Sequence, residues 1–249
     1  MIEIKQLSKT FHPGTAREVK AVNELSLQLE AGSFTLLLGS NGSGKSTLLN
    51  LLAGTLLPDA GSIRIHEKEV QKLPAFKRSA SIARIFQDPT AGTAPDLSLI
   101  DNFRLAALRT QSKGFQLGVN AAFRKQVAEH VSVLGMGLEN RLNQAMGSFS
   151  GGQRQALSLL MATFDALDVL LLDEPTAALD PRSAAMVLDL SRSIVAEKKI
   201  TAVMVTHELR HCMQLGNRII QMSEGKIIRD VRGNEKESLR LEELVNWFS

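Results

Sequence analysis

The sequence predicts an α/β fold, with parallel strands and helices arranged round a phosphate-binding loop. Three observations predict it. Gly39-Ser40-Asn41-Gly42-Ser43-Gly44-Lys45-Ser46 fits G-x-x-x-x-G-K-[ST], the P-loop pattern. Short apolar runs, Phe34 to Leu38, Val169 to Leu172 and Ile200 to Val205, have the length and composition of buried strands. Helical spacing follows the first of these and separates the others, the alternation of an α/β core.

Each element has a local reason. Met1-Ile2-Glu3-Ile4-Lys5 alternates like a strand. Phe34 to Leu38 is a core strand that runs into the P-loop, and Thr47 to Ala53 continues as a helix with Leu48, Leu49 and Leu52 on one face. Strand, glycine loop and helix form the context the motif requires. Gly39, Gly42 and Gly44 let bare backbone N–H groups converge on phosphate oxygens, and the helix N-terminus adds positive partial charge. In that chemistry Lys45 reaches the β- and γ-phosphates and the Ser46 hydroxyl binds Mg²⁺; Ser40, Asn41, Ser43 and Thr47 complete the nucleotide-contacting run. Pro58-Asp59-Ala60-Gly61 turns into the strand Ser62 to Ile65.

From about residue 88 to 150 the character changes. Gly92-Thr93-Ala94-Pro95 breaks the chain, Leu97 to Leu108 reads as a helix, and Gln111 to Gly118 as a polar loop. Asn120 is placed to cap a helix carrying Phe123, Val127, Val131 and Leu134 on one side. Residues 165 to 222 return to strand and helix. Gly225 to Asp230 suggests a last strand, and Leu239 to Phe248 a closing helix with Leu241, Leu244, Val245 and Phe248 inward.

A second group of motifs carries chemistry. Ser150-Gly151-Gly152-Gln153 opens a helix, and its two glycines leave N–H groups bare for an anion. Val169-Leu170-Leu171-Leu172 ends at Asp173-Glu174, and ligands of open α/β sheets bind at such strand ends. Asp173 is the expected Mg²⁺ ligand, and Glu174, pointing elsewhere, polarises an attacking water. Ile200 to Val205 ends at Thr206-His207, which places His207 beside the presumed phosphate strand.

The chain resembles the ATP-binding subunit of ATP-binding-cassette (ABC) transporters. The motifs match in order: Gly39 to Ser46 (Walker A), Gln87 (Q-loop), Ser150 to Gln153 (signature), Val169 to Asp173 with Glu174 (Walker B and catalytic Glu), Ala178-Leu179-Asp180 (D-loop) and His207 (H-loop). The resemblance runs from about residue 2 to residue 230. It implies an ABC ATPase domain of the P-loop NTPase type over residues 1–249. Its core and N-terminal β-subdomain would take residues 1–87 and 151–230, its inserted α-helical subdomain residues 88–150, and a C-terminal helix residues 231–249.

The resemblance also implies ATP and Mg²⁺ as ligands. Glu174, His207, Lys45 and Gln87 would be catalytic, Ser46, Gln87 and Asp173 would hold the metal, and Asp180 would touch nucleotide. It implies a homodimer in the ATP state, with the signature of one subunit completing the site of the other. A membrane permease would dock near Phe86 to Thr93, against Leu97 to Leu108, and a substrate-binding protein would act indirectly. The place would be the cytoplasmic face of the membrane. Two departures stand out: Phe149 holds the place of the usual Leu before the signature, and Ala177 that of the usual Ser of the D-loop. The chain has no Tyr, so Phe11 is the expected adenine platform, with His12 the lesser candidate. Gln87-Asp88-Pro89, Gly92 to Pro95 and Gln153 to Thr163 are similar to a bacterial importer subgroup linked to aromatic amino acids.

Composition sets the bounds. A chain of 249 residues, 44% apolar, buries one sizeable core. No apolar stretch is long enough for a transmembrane helix, and the N-terminus lacks a leader's apolar segment, so a soluble, cytoplasmic protein is expected. Cys212 alone excludes an internal disulfide and reads as buried and inert. Net charge +3, no block of like charges and only 4% aromatic residues argue against nucleic acid. Lys77, Arg78 and Arg84, like Arg124 and Lys125, read as solvated faces. A repair ATPase would need a long coiled-coil insertion between the nucleotide motifs, and translation ATPases usually carry two cassettes in one chain. The remaining alternative to a transporter is the ATPase of a cell-division or lipoprotein-release complex, which Arg17 to Val22 resembles.

Overall fold

The computed structural model describes residues 1–110 and 118–248. Along the chain run β1 (Ile2–Phe11), β2 (Val19–Leu29), β3 (Phe34–Leu38), α1 (Lys45–Ala53), β4 (Ala60–Ile65), β5 (Lys68–Glu69), α2 (Ala75–Arg78) and β6 (Ile82–Ile85). Then come α3 (Leu99–Ala107), α4 (Ala121–Ser132), α5 (Gly151–Ala162), β7 (Val169–Asp173), α6 (Pro181–Lys198), β8 (Thr201–Val205), α7 (Leu209–Gln214), β9 (Arg218–Ser223), β10 (Lys226–Arg232), α8 (Asn234–Ser238) and α9 (Leu241–Asn246). The expected loop at Gln111 to Gly118 lies, but for Gly118, outside the described residues.

Two sheets organise these elements. One has four strands in the order β2-β1-β4-β5, all antiparallel. The other has six, β10-β9-β3-β8-β7-β6, parallel except for β10. Every residue of β3 and β8 is buried, as a parallel strand covered on both faces demands. The strand before the P-loop, the strand before Asp173-Glu174 and the strand before His207 are therefore neighbours, and β8 pairs with both of the others. Three chemical motifs reach one edge of one sheet.

The helical insertion follows from its caps. Ser98 and Asn120 cap α3 and α4 by accepting hydrogen bonds from Asp101 and Phe123 backbone N–H groups. Phe123, Val127 and Val131 are buried as expected. Phe123 and Phe103 stack edge-on against Phe164, at 5.7 and 5.3 Å between ring centres, which fastens the insertion to the end of α5.

Several expectations are corrected. The tail holds two short helices, α8 and α9, rather than one. Of its inward set only Leu244 is buried; Leu241, Val245 and Phe248 are exposed, and Leu239 and Trp247 pack on the core instead. α9 ends at Asn246, so Phe248 lies past the helix, and the Trp247 ring is covered by the Arg229 guanidinium. The Lys77-Arg78-Arg84 group is not a solvated face. Arg78 is 2% exposed, and its guanidinium donates to the carbonyls of Leu51, Leu52, Gln71 and Leu73. It thereby satisfies orphan carbonyls at the C-terminal end of α1. Arg84 is turned inward as well. Arg124 and Lys125 are exposed, as read. Phe149, the departure before the signature, is buried in the core beneath the Arg141 guanidinium. Cys212 is buried, and burial pushes its thiol up to about 12.

Candidate nucleotide site

The P-loop has the shape that its sequence implies. Gly44 stands before α1 with φ of 102°, and no side chain caps the helix. A Cβ at Gly44 would meet the Ala21 carbonyl oxygen at 2.1 Å, and one at Gly39 the Met222 carbonyl oxygen at 2.4 Å. The loop thus closes only with glycine at those positions, and the first-turn N–H groups stay open to an anion. Lys45 folds back over the loop, donating to the carbonyls of Gly39 at 2.8 Å and Ser40 at 2.9 Å. Burial pulls its ammonium below the ordinary lysine range, while the charges of Glu174 and Asp173 act against that. Ser40, Asn41, Gly42 and Ser46 are exposed, Thr47 is half-buried, and the Ser43 side chain is buried against Gly39.

Asp173 closes β7, opposite Val205 of β8. Glu174 then takes a left-handed turn with φ of 47°, its N–H donating to the Val205 carbonyl at 3.1 Å. Such a conformation is costly for a non-glycine residue. Glu174 Oε1 lies 2.8 Å from His207 Nε2. The expected catalytic carboxylate and the expected histidine are therefore in direct contact. Gln87 is exposed just beyond β6.

The residue types fit a nucleotide with a hard divalent cation. The loop is a cradle that a Cβ would fill, and the nearby ligands are a hydroxyl, Ser46, and a carboxylate, Asp173.

Other expected residues take places of their own. Phe11 ends β1 opposite Val19, half-buried, two positions along β2 from the Ala21 carbonyl that abuts Gly44. Its ring carries the Lys9 ammonium at 6.0 Å. Ser150 caps α5 in a capping box with Gln153, each side chain bonding the other's backbone N–H. The neighbours of Gly151 and Gly152 are Pro89, Leu179 and Ser183, not the P-loop. A Cβ on Gly152 would meet Ser183 Oγ at 2.3 Å, so this glycine also lets α6 approach α5. Asp180 caps α6, accepting from the Arg182 and Ser183 N–H groups, and the bonds from Ser183 hold its carboxyl below the usual range.

Two residues escape a reading by motif. Gln155, 1% exposed, donates from Nε2 to the Phe86 carbonyl and to the Pro175 carbonyl, each at 2.9 Å. It ties α5 to the segment before Gln87 and to the segment after Glu174. The signal was an amide on the inward face of α5, between Gly152 and Leu159. The second is Arg84, a cation in the apolar strand Ile82-Ala83-Arg84-Ile85.

The ABC transporter family profile matches residues 22–177. The tyrosine transport ATP-binding protein of Clostridioides difficile (strain R20291) is 40% identical over 252 residues, covering 100% of this chain and 98% of that protein. This chain belongs to the ABC transporter family. The ABC cassette is also 33% identical to the methionine import ATP-binding protein MetN 2 of Salmonella typhi, over 92% of this chain and 65% of that protein. It superposes with a TM-score of 0.79 and 26% identity on the dimeric post-hydrolysis structure of the ATP-binding cassette MJ0796 bound to ADP and Pi, covering 93% of this chain and 98% of that one. The cassette is an ATP-binding subunit of an ABC transporter, and its family's work is ATP hydrolysis. No helix among the described residues is long and apolar enough to cross a membrane.

Proposed function

We propose that this cassette is the Mg²⁺-dependent ATPase motor of a small-solute importer, peripheral to the cytoplasmic face of the membrane. The observation that carries the reading is the Glu174–His207 contact at 2.8 Å, just past the ends of β7 and β8, with β8 the neighbour of the P-loop strand β3. Glu174 accepts the proton of an attacking water, and His207 holds the Glu174 carboxylate in place. Lys45 swings from the Gly39 and Ser40 carbonyls to phosphate oxygens, while N–H groups of the loop bind the same phosphates. Ser46 and Asp173 would hold Mg²⁺, with Gln87 beside them, and the ion would supply neutralising charge to the phosphates. Phe11 stacks on adenine.

The near neighbours of Gly151 and Gly152 are Pro89, Leu179 and Ser183. That supports a two-fold ATP-state dimer in which this segment and Asp180 serve the partner's site. The dimeric form of MJ0796 supports it too.

The permease reading rests on a groove of 590 Å³ lined by Phe86, Gly92, Thr93, Asn102, Leu105 and Ala106 among others. Leu105 is 50% exposed there, whereas Leu99 is fully buried and faces the core. A cytoplasmic loop of the permease packs in this groove, and a substrate-binding protein delivers the solute to the permease. The name of the Clostridioides difficile relative supports tyrosine or a related aromatic amino acid as cargo. Reconstitution with its permease tests this: uptake of labelled tyrosine that needs both ATP and Mg²⁺ supports it, and ATPase activity indifferent to metal chelation contradicts it.

A further inference from the structure

Arg84 sits where an arginine is costly. It is the third residue of β6, whose other members, Ile82, Ala83 and Ile85, are buried. Its side chain is 13% exposed. One arm of the guanidinium, Nη2, donates to Asp173 Oδ2 at 2.5 Å. The other, Nη1, donates to Asn50 Oδ1 at 2.5 Å, one helical turn after Ser46 on α1. The guanidinium also lies 4.9 Å from the centre of the Phe86 ring, just before Gln87. Nε is buried and unpartnered. A guanidinium does not lose its proton, so this is a permanent positive charge locked onto Asp173.

We propose that Arg84 is a positioning residue that acts as the resident counter-ion of Asp173, so that this carboxylate binds a divalent cation only when nucleotide phosphates arrive with it. The inference rests on the assignment of Asp173 as a metal ligand. Without phosphates, Arg84 is ion-paired with the carboxylate, and the Lys45 ammonium, held on the loop carbonyls, adds positive charge nearby. A divalent ion entering alone meets like charge at close range in a half-buried site, where such repulsion is weakly screened. Phosphates reverse the balance: they draw Lys45 away and add negative charge beside Ser46. The Asn50 arm keeps Arg84 from following the metal ligands, and it fixes α1 to the end of β7.

The test is a Mn²⁺ titration of the full chain, read by the electron paramagnetic resonance of free Mn²⁺, without nucleotide and then with ATP. Arg84→Met, and Arg84→Gln as a second neutral variant should the first fold poorly, are expected to bind Mn²⁺ without nucleotide about tenfold more tightly than the wild type, the scale of removing one neighbouring charge. Arg84→Lys, which keeps the charge, should behave as the wild type. A purely structural role for Arg84 would lower thermal stability and leave nucleotide-free Mn²⁺ binding where it was. Unchanged or weaker binding in the neutral variants, or Arg84→Lys matching them, would overturn the inference. Asp173→Asn separates the two layers. If it leaves Mn²⁺ binding in the presence of ATP untouched, the metal-ligand assignment fails. If it weakens that binding while the neutral Arg84 variants change nothing, the counter-ion inference alone fails.

Discussion

His207 Nε2 lies 2.8 Å from Glu174 Oε1, and the contact is a product of strand order. Val205 pairs with Asp173 across β7 and β8, so the residues just past each strand meet. The positive φ of Glu174 then turns its carboxylate toward the histidine. Glu174→Gln is expected to keep ATP binding and to lose turnover by roughly 10²- to 10⁴-fold, the usual worth of a general base. His207→Ala should follow the same pattern, with near-normal nucleotide affinity and low phosphate release. Normal rates in both variants would remove them from the catalytic machinery.

Lys45→Ala should do something different. Its ammonium is held by the carbonyls of Gly39 and Ser40 in the loop itself. Removing it takes charge from the phosphate cradle, so the dissociation constant for ATP, measured by calorimetry, should rise by about tenfold or more, as for the loss of a charge-assisted bond. Unaltered affinity would mean that phosphate binds elsewhere.

Arg78 bears on stability rather than chemistry. Its four carbonyl acceptors include Leu51 and Leu52, at the end of the P-loop helix. Arg78→Met leaves those carbonyls buried and unpaired, which should cost about 2–3 kcal/mol. For a chain of this size that lowers the melting temperature by about 4–12 °C. Differential scanning calorimetry reads it, and a shift under a degree would show that Arg78 is dispensable.

Much of this was legible beforehand, and for a physical reason. Strand-loop-helix around Gly39 to Ser46, the apolar run before Asp173 and the caps Ser98 and Asn120 are local patterns, and local patterns survive tertiary context. What was not legible depends on pairing across the sheet or between helices. Nothing in the sequence of β6 says that it is an edge strand beside β7, yet that places Arg84 against Asp173. Arg78 beside Lys77 looks like a surface pair until α2 folds beneath α1. The tail misled because Leu241, Leu244, Val245 and Phe248 share a helical face in the sequence, whereas α9 ends at Asn246 and buries Leu244 alone. The segment Leu97 to Leu108 does not show in sequence which side faces out; Leu99 is buried and Leu105 is exposed.

Leu105→Glu therefore tests the docking groove. Leu105 is half exposed and lines the groove with Phe86 and Thr93, so an added charge there should not disturb the core. Basal ATPase activity of the isolated cassette should stay within about twofold, consistent with the small effect of most surface substitutions. Permease-stimulated ATPase activity and uptake should fall sharply. Full stimulation in the variant would send the docking site elsewhere, and a cross-link from the permease to the 239–248 tail would say where.

The composite site is tested most directly by sedimentation velocity of Glu174→Gln at micromolar concentration, with Mg-ATP and with Mg-ADP. Pro89, Leu179 and Ser183 are the near neighbours of Gly151 and Gly152, and the proposal gives this segment to the partner's site. With Mg-ATP the cassette should sediment as a species of twice 27.1 kDa, and with Mg-ADP as a monomer. A strict monomer with Mg-ATP, in a variant shown to bind the nucleotide, would contradict the two-fold site.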